Sequence, residues 1–166
     1  MARLLFAIVI VSAAVLQATL IPAVGTLDVL PSLVLVLLLL WAALRGVAEG
    51  LIWVFAVGLL LDGLAIDHLG TNGLALLPVA LLAGPARRRF FHSGMLVPLL
   101  LVFLATLLHA LLLSILRSIG DAGLPLAPGA IFRIGALQAL LNALLVPPLY
   151  LVAGWVNRWS SDLEKA

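Results

Sequence analysis

Charged positions are few and clustered, and between the clusters the chain is almost wholly apolar. Runs such as Leu33 to Trp41 (LVLVLLLLW) and Leu96 to Leu108 (LVPLLLVFLATLL) do not alternate apolar and polar positions, as strands of a membrane barrel must. In hydrocarbon every backbone polar group has to be paired within its helix or around a closed barrel, so blocks of this kind predict helices. Six follow, at about 4–21, 31–44, 47–66, 74–86, 95–117 and 131–156, with residues 1–166 forming a single polytopic domain. Turn signals separate them. These are Pro22 to Pro31 with Gly25 and Asp28, the tight break Arg45-Gly46, the loop Asp67 to Gly73, the basic turn Arg87-Arg88-Arg89, and the Gly/Pro-rich stretch Ser118 to Ala130. The second block is the most uniformly Leu/Val, the fourth is short, and a polar tail runs from Asn157 to Ala166.

Composition narrows what such a bundle can carry. Of 166 residues, 65% are hydrophobic and 10% charged, and the mean hydropathy is +1.32. At about 20 residues per crossing, six spans use roughly 120 of the 166 and leave about 46 for turns and tails. A folded extramembrane receptor, enzyme or nucleic-acid-binding domain does not fit in that remainder, and no basic patch with interleaved aromatics points to nucleic acid. Zero Cys excludes disulfides and thiolate chemistry. The pI near 9.9 is less informative than where the basic residues stand. With the N-terminus inside, Arg3, Arg45, Arg87, Arg88, Arg89, Arg158 and Lys165 are cytoplasmic, leaving Arg117 and Arg133 outside. Basic residues in short loops are retained on the cytoplasmic side, so this bias sets both termini inside and assigns the topology to Arg87, Arg88 and Arg89 above all. Arg3 before an apolar run with Ala13, Ala14 and Ala18 also resembles a secretory signal. The run continues through Ile21 without a polar cleavage region, which favours a retained helix.

Polar groups inside apolar blocks are the candidates for function, since each costs several kcal/mol in lipid unless paired or hydrated. Arg45 and Glu49 stand four apart and would pair across a continuous helix, an interfacial tie set against a functional role. Gly46 and Gly50 form a small-x-x-x-small pair that allows close helix approach. Asp62 follows Gly58 by one turn and needs a partner. The N–H groups opening the Gly70-Thr71-Asn72-Gly73 segment would supply one, the alternative being a proton-relay or ligand role. His109, near Thr106 and Ala110, should face other helices as a hydrogen-bonded packing residue rather than a metal ligand, because metal sites need converging ligands. Gln138 and Asn142, at i and i+4, put two amides on one stripe that can join helices. Pro147-Pro148 should kink or end the last helix before Tyr150 and Trp155, and Trp41, Trp53 and Trp159 suit interfacial anchors. Asp67 and His68 suit a solvated loop. Signatures for metalloprotease, phosphate-loop or serine-hydrolase chemistry are missing, and Asp62 with Asp67 offers two carboxylates without further ligands. The residues therefore predict no enzyme, no metal and no cofactor.

The ordered series Arg45-Gly46, Glu49-Gly50, Gly58-Leu59 with Asp62, then Leu69-Gly70-x-Asn72 resembles the central pattern of the bacterial rod shape-determining MreD family. Length, helix count and a last helix carrying Asn142 before Pro147 and Tyr150 resemble it too, whereas Pro78, Gly84-Pro85 and the brief tail depart from it. The resemblance implies a non-enzymatic, multi-pass scaffold subunit of the cell-elongation complex in the bacterial inner membrane. It would bind MreC, work with MreB, the glycosyltransferase RodA and a penicillin-binding transpeptidase, and so help direct peptidoglycan synthesis and maintain cell shape. The family is also similar in fold to the substrate-binding subunits of energy-coupling factor transporters. That similarity implies the rival reading, a vitamin-like small-molecule binding subunit with Asp62, His109, Gln138 and Asn142 lining a polar cavity. A membrane enzyme is a third and weaker reading.

Overall fold

In the computed structural model the described residues are 2–24, 29, 31–65, 68–90, 95–120 and 128–163. They form six helices and, among them, no strand: α1 (Ala2–Val24), α2 (Leu33–Arg45), α3 (Val47–Ala65), α4 (Thr71–Phe90), α5 (Leu96–Gly120) and α6 (Pro128–Leu163). Three stretches, Val47–Ala65, Leu96–Ile119 and Gly129–Leu149, are long and apolar enough to cross a bilayer.

The shortest helix is the centre. With 13 residues, α2 spans only about 20 Å, less than the ~30 Å of a hydrocarbon core. It touches every other helix. Its buried residues, Val34, Leu35, Val36, Leu38, Leu39, Leu40, Ala42 and Ala43, occupy all sides rather than one stripe, as a helix enclosed by protein requires. That is why its sequence shows no amphipathic period. α1, by contrast, is peripheral, and Leu4, Leu5, Ile8, Val9, Val11, Val15 and Leu16 all stand exposed on it.

Lipid tails are as apolar as leucine, so close packing rather than water exclusion must hold these helices together. Glycines provide it at the crossings. A Cβ on Gly58 would run into the backbone of Gly73, so α3 and α4 meet backbone to backbone. On Gly50 it would come 2.6 Å from the Ala42 Cβ of α2, and on Gly84 it would overlap the Val47 side chain at the start of α3.

Two expected boundaries are corrected. The fourth helix is not confined to 74–86. It runs unbroken through Pro78 and Gly84-Pro85 to Phe90, so the backbone of Arg87, Arg88 and Arg89 belongs to its last turn rather than to a loop. Gly84 is there to admit Val47, and the neighbouring helices hold the segment helical despite the donors its prolines lack. The sixth helix likewise continues through Pro147 and Pro148 to Leu163. Its 36 residues are about 54 Å long, well beyond one bilayer crossing. The side chains of Arg87, Arg88, Arg89, Tyr150, Trp155, Arg158 and Trp159, together with Asp67 and most of the loop before α6, lie outside the described residues.

Candidate functional site

Polar side chains gather at three places, two of them at helix N-termini. An α-helix begins with N–H groups that have no intrahelical acceptor, and α2 begins inside the bundle, where water cannot serve. Its N-cap Ser32 is buried. Asn142 of α6 accepts the Ser32 amide at 2.7 Å through Oδ1. Gln17 of α1 accepts the Val34 amide at 3.3 Å and the Ser32 hydroxyl at 3.4 Å, both through Oε1. The Ser32 hydroxyl in turn accepts the Leu35 amide at 3.4 Å. On its other side Asn142 donates through Nδ2 to the Thr106 hydroxyl of α5 at 3.0 Å, and Thr106 donates to the Val102 carbonyl at 2.7 Å. One amide thus joins α2, α5 and α6, and a second joins α1 to the same helix start.

The second node caps α4. Gly70 takes φ +94°, a left-handed conformation open to glycine, and so turns the chain into α4. Asp62 of α3 then accepts the Gly70 amide at 2.6 Å through Oδ2, and the Asn72 amide and Asn72 Nδ2 at 2.8 Å each through Oδ1. Asp62 is 1% exposed. Among the described residues no cation bridges it, so three N–H donors and the positive end of the α4 dipole balance the carboxylate. The donors are those of the segment that the sequence analysis set opposite Asp62.

The third gathering lies at the α2–α3 turn and corrects two expectations. Glu49 does not pair with Arg45. Gly46, at φ 105°, ends α2 and starts α3 between them, so no continuous helix sets the two side chains one turn apart. Glu49 instead accepts from Arg3 of α1, Nε to Oε1 at 2.8 Å. The Arg45 guanidinium lies 5.4 Å from the Trp41 ring centroid, within cation–π range. Nor are Trp41 and Trp53 isolated anchors: Phe6 stacks on Trp41 at 4.0 Å and meets Trp53 edge-on at 5.1 Å.

The structure therefore brings Asp62, Gly70 and Asn72 together, with the Gly58 contact nearby, and separately places Asn142 in a node that includes Gln17, Ser32 and Thr106. Gln138, one turn before Asn142, is half-buried. His109, three residues after Thr106 on α5, is buried as expected, yet its Nδ1 has no hydrogen-bond partner within the protein. His68 is exposed. Gln17 and Ser32 were missed. The signal available for them was a lone amide in an apolar helix and a Ser directly after Pro31 at a helix start. Among the described residues, no group of three or more His, Asp or Glu side chains could hold a metal ion.

These features define an all-helical membrane protein whose buried polar side chains tie helix termini to one another. The chain belongs to the MreD family: the model of that family, described as rod shape-determining protein MreD, matches residues 1–154. It is accordingly a protein of rod shape determination, from a family of shape-determining membrane proteins rather than of enzymes. No curated protein and no solved structure matches the chain.

Proposed function

We propose that the protein is a non-catalytic, six-span scaffold of the cell-elongation complex in the bacterial inner membrane, with both termini cytoplasmic. It binds MreC, and through the assembly containing MreB, RodA and a penicillin-binding transpeptidase it helps direct peptidoglycan synthesis. Family membership supports the shape role. The observation that carries the scaffold reading is the use of the buried polar groups. Asp62, Asn142, Gln17, Ser32 and Thr106 are engaged with backbone N–H groups or with one another, an arrangement that fixes the bundle as a rigid body for partners to hold.

One observation favours the transport-subunit reading instead. His109 is 7% exposed with an unpartnered Nδ1, and a ligand lodged between helices would give that nitrogen a partner. The two readings separate in one experiment: crosslinking the tagged protein in its native membrane, followed by pull-down and mass spectrometry of proteins and small molecules. The scaffold predicts an MreC-like single-span protein and cell-wall synthases without a stoichiometric ligand. Recovery of an ATPase-coupled module, or of one bound vitamin-like molecule per protein, would overturn it.

A further inference from the structure

At the end of the bundle where α2 turns into α3, two guanidinium groups share one carboxylate. Glu49 is engaged by Arg3 at 2.8 Å, and among the described residues no other carboxylate bridges Arg45. Arg45 is exposed and rests on the Trp41 ring, so its planar fork is oriented before any anion arrives. Arg3 bonds Glu49 through Nε, leaving its terminal N–H groups on a side chain that is 77% exposed. Two cations against one anion leave a positive charge at a membrane-facing edge. Below it the exposed surface is apolar: Leu4, Leu5 and Ile8 on α1, Ile52 and Phe55 on α3. The Trp41 indole N–H, shielded from solvent, has no acceptor in the protein.

We infer that this edge, formed by Arg45 on Trp41 beside Arg3, binds the phosphate headgroup of an anionic phospholipid whose acyl chains lie along α1 and α3. Charge complementarity selects the headgroup, since a stacked guanidinium presents paired N–H donors that match phosphate oxygens. A headgroup seated there also brings acceptor oxygens to the indole. The apolar wall selects a lipid over free phosphate, because only a lipid fills both halves. Dipole potential from the first turn of α3, which starts at the same bend, acts in the same direction. The inference needs this end of α1–α3 to lie at a membrane surface, whichever surface that is, and is independent of MreC binding.

The test is native mass spectrometry of the purified full-length protein in a non-ionic detergent, titrated separately with phosphatidylglycerol, phosphatidylcholine and inorganic phosphate. Phosphatidylglycerol should bind about fivefold more tightly than phosphatidylcholine, the attraction of one basic residue for an anionic surface. Arg45→Gln should abolish the preference. Arg133→Gln, which removes an exposed guanidinium near the start of α6, should leave it intact. Equal binding of the two lipids, an unchanged preference in Arg45→Gln, or displacement of phosphatidylglycerol by equimolar inorganic phosphate would each overturn the inference. Helicity by circular dichroism accompanies every variant. If Arg45→Gln loses helicity, Arg45→Lys takes its place: without the planar fork it should lose about half of the preference, and full retention overturns the inference.

Discussion

Asp62→Ala is the sharpest perturbation of this fold, because it removes one acceptor group and frees three donors, the amides of Gly70 and Asn72 and the Asn72 side chain. A buried donor left unsatisfied costs about 1–3 kcal/mol. Measured hydrogen bonds between membrane helices average about 0.6 kcal/mol and reach about 1.7, so three bonds give a floor near ~2 kcal/mol. The ceiling is set by relief of the carboxylate's own desolvation on its removal, and by Gly70, which is only half-buried and can find water. Together these place the loss at about 3 kcal/mol, on the order of 100-fold in the unfolding equilibrium. Asp62→Asn keeps one oxygen for Asn72 but turns an amide N–H toward the Gly70 donor, so it should lose about half as much. Reversible unfolding in mixed micelles titrated with dodecyl sulfate gives the equilibrium. Hydrogen exchange at the Gly70 and Asn72 amides shows whether the damage is at the α4 cap. Should Asp62→Ala unfold within ~0.5 kcal/mol of the parent, with both amides still protected, the capping argument is wrong.

Other expectations are simpler to state. Gly58→Ala drives a Cβ into the Gly73 backbone and should lower stability by about 1–3 kcal/mol. Gly63→Ala, with open space at its Cβ, should be near neutral in the same assay. Asn142→Leu and Gln17→Leu act on one helix start, so a double-mutant cycle should show clear coupling in unfolding free energy, whereas additive losses would mean independent sites. Arg3→Gln and Glu49→Gln should also be coupled, with coupling weakened by salt, while Arg45→Gln and Glu49→Gln should add independently. Reporter fusions at both termini should mark them as cytoplasmic. Single substitutions at Arg87, Arg88 or Arg89 should leave that orientation unchanged, because the remaining two still hold it.

Much of this architecture was legible because lipid punishes error so heavily. Six apolar blocks became six helices, and Asp62 could be set against the Gly70–Gly73 segment because a carboxylate in that position must find donors close by in sequence. What stayed hidden depends on conformation or on long-range meeting. Pro78 and Gly84-Pro85 look like breaks, yet packing of Val47 onto Gly84 overrides the local preference. Arg45 and Glu49 have the spacing of a helical pair, but one residue at positive φ, Gly46, separates them. Gln17 and Asn142 are both plainly polar. Nothing in their order shows that the two amides meet at Ser32, which is 15 residues from the first and 110 from the second. The enclosure of α2 shows only as an apolar run without period, a pattern it shares with any helix bathed in lipid.

That separation of 110 residues has a consequence for how the protein is made. Helices enter the membrane from the ribosome in chain order, so α2 is inserted while the helix carrying Asn142 has yet to be synthesised. Until then the Ser32 amide has no Asn142 to receive it, and α1 can offer Gln17 alone. α6 is therefore the keystone of the bundle. A nascent chain stalled before residue 142 holds an open, adjustable set of helices, and completion of the last helix closes it. Quality control that senses unpaired polar groups in the bilayer would find its signal in the unfinished protein and lose it when α6 docks.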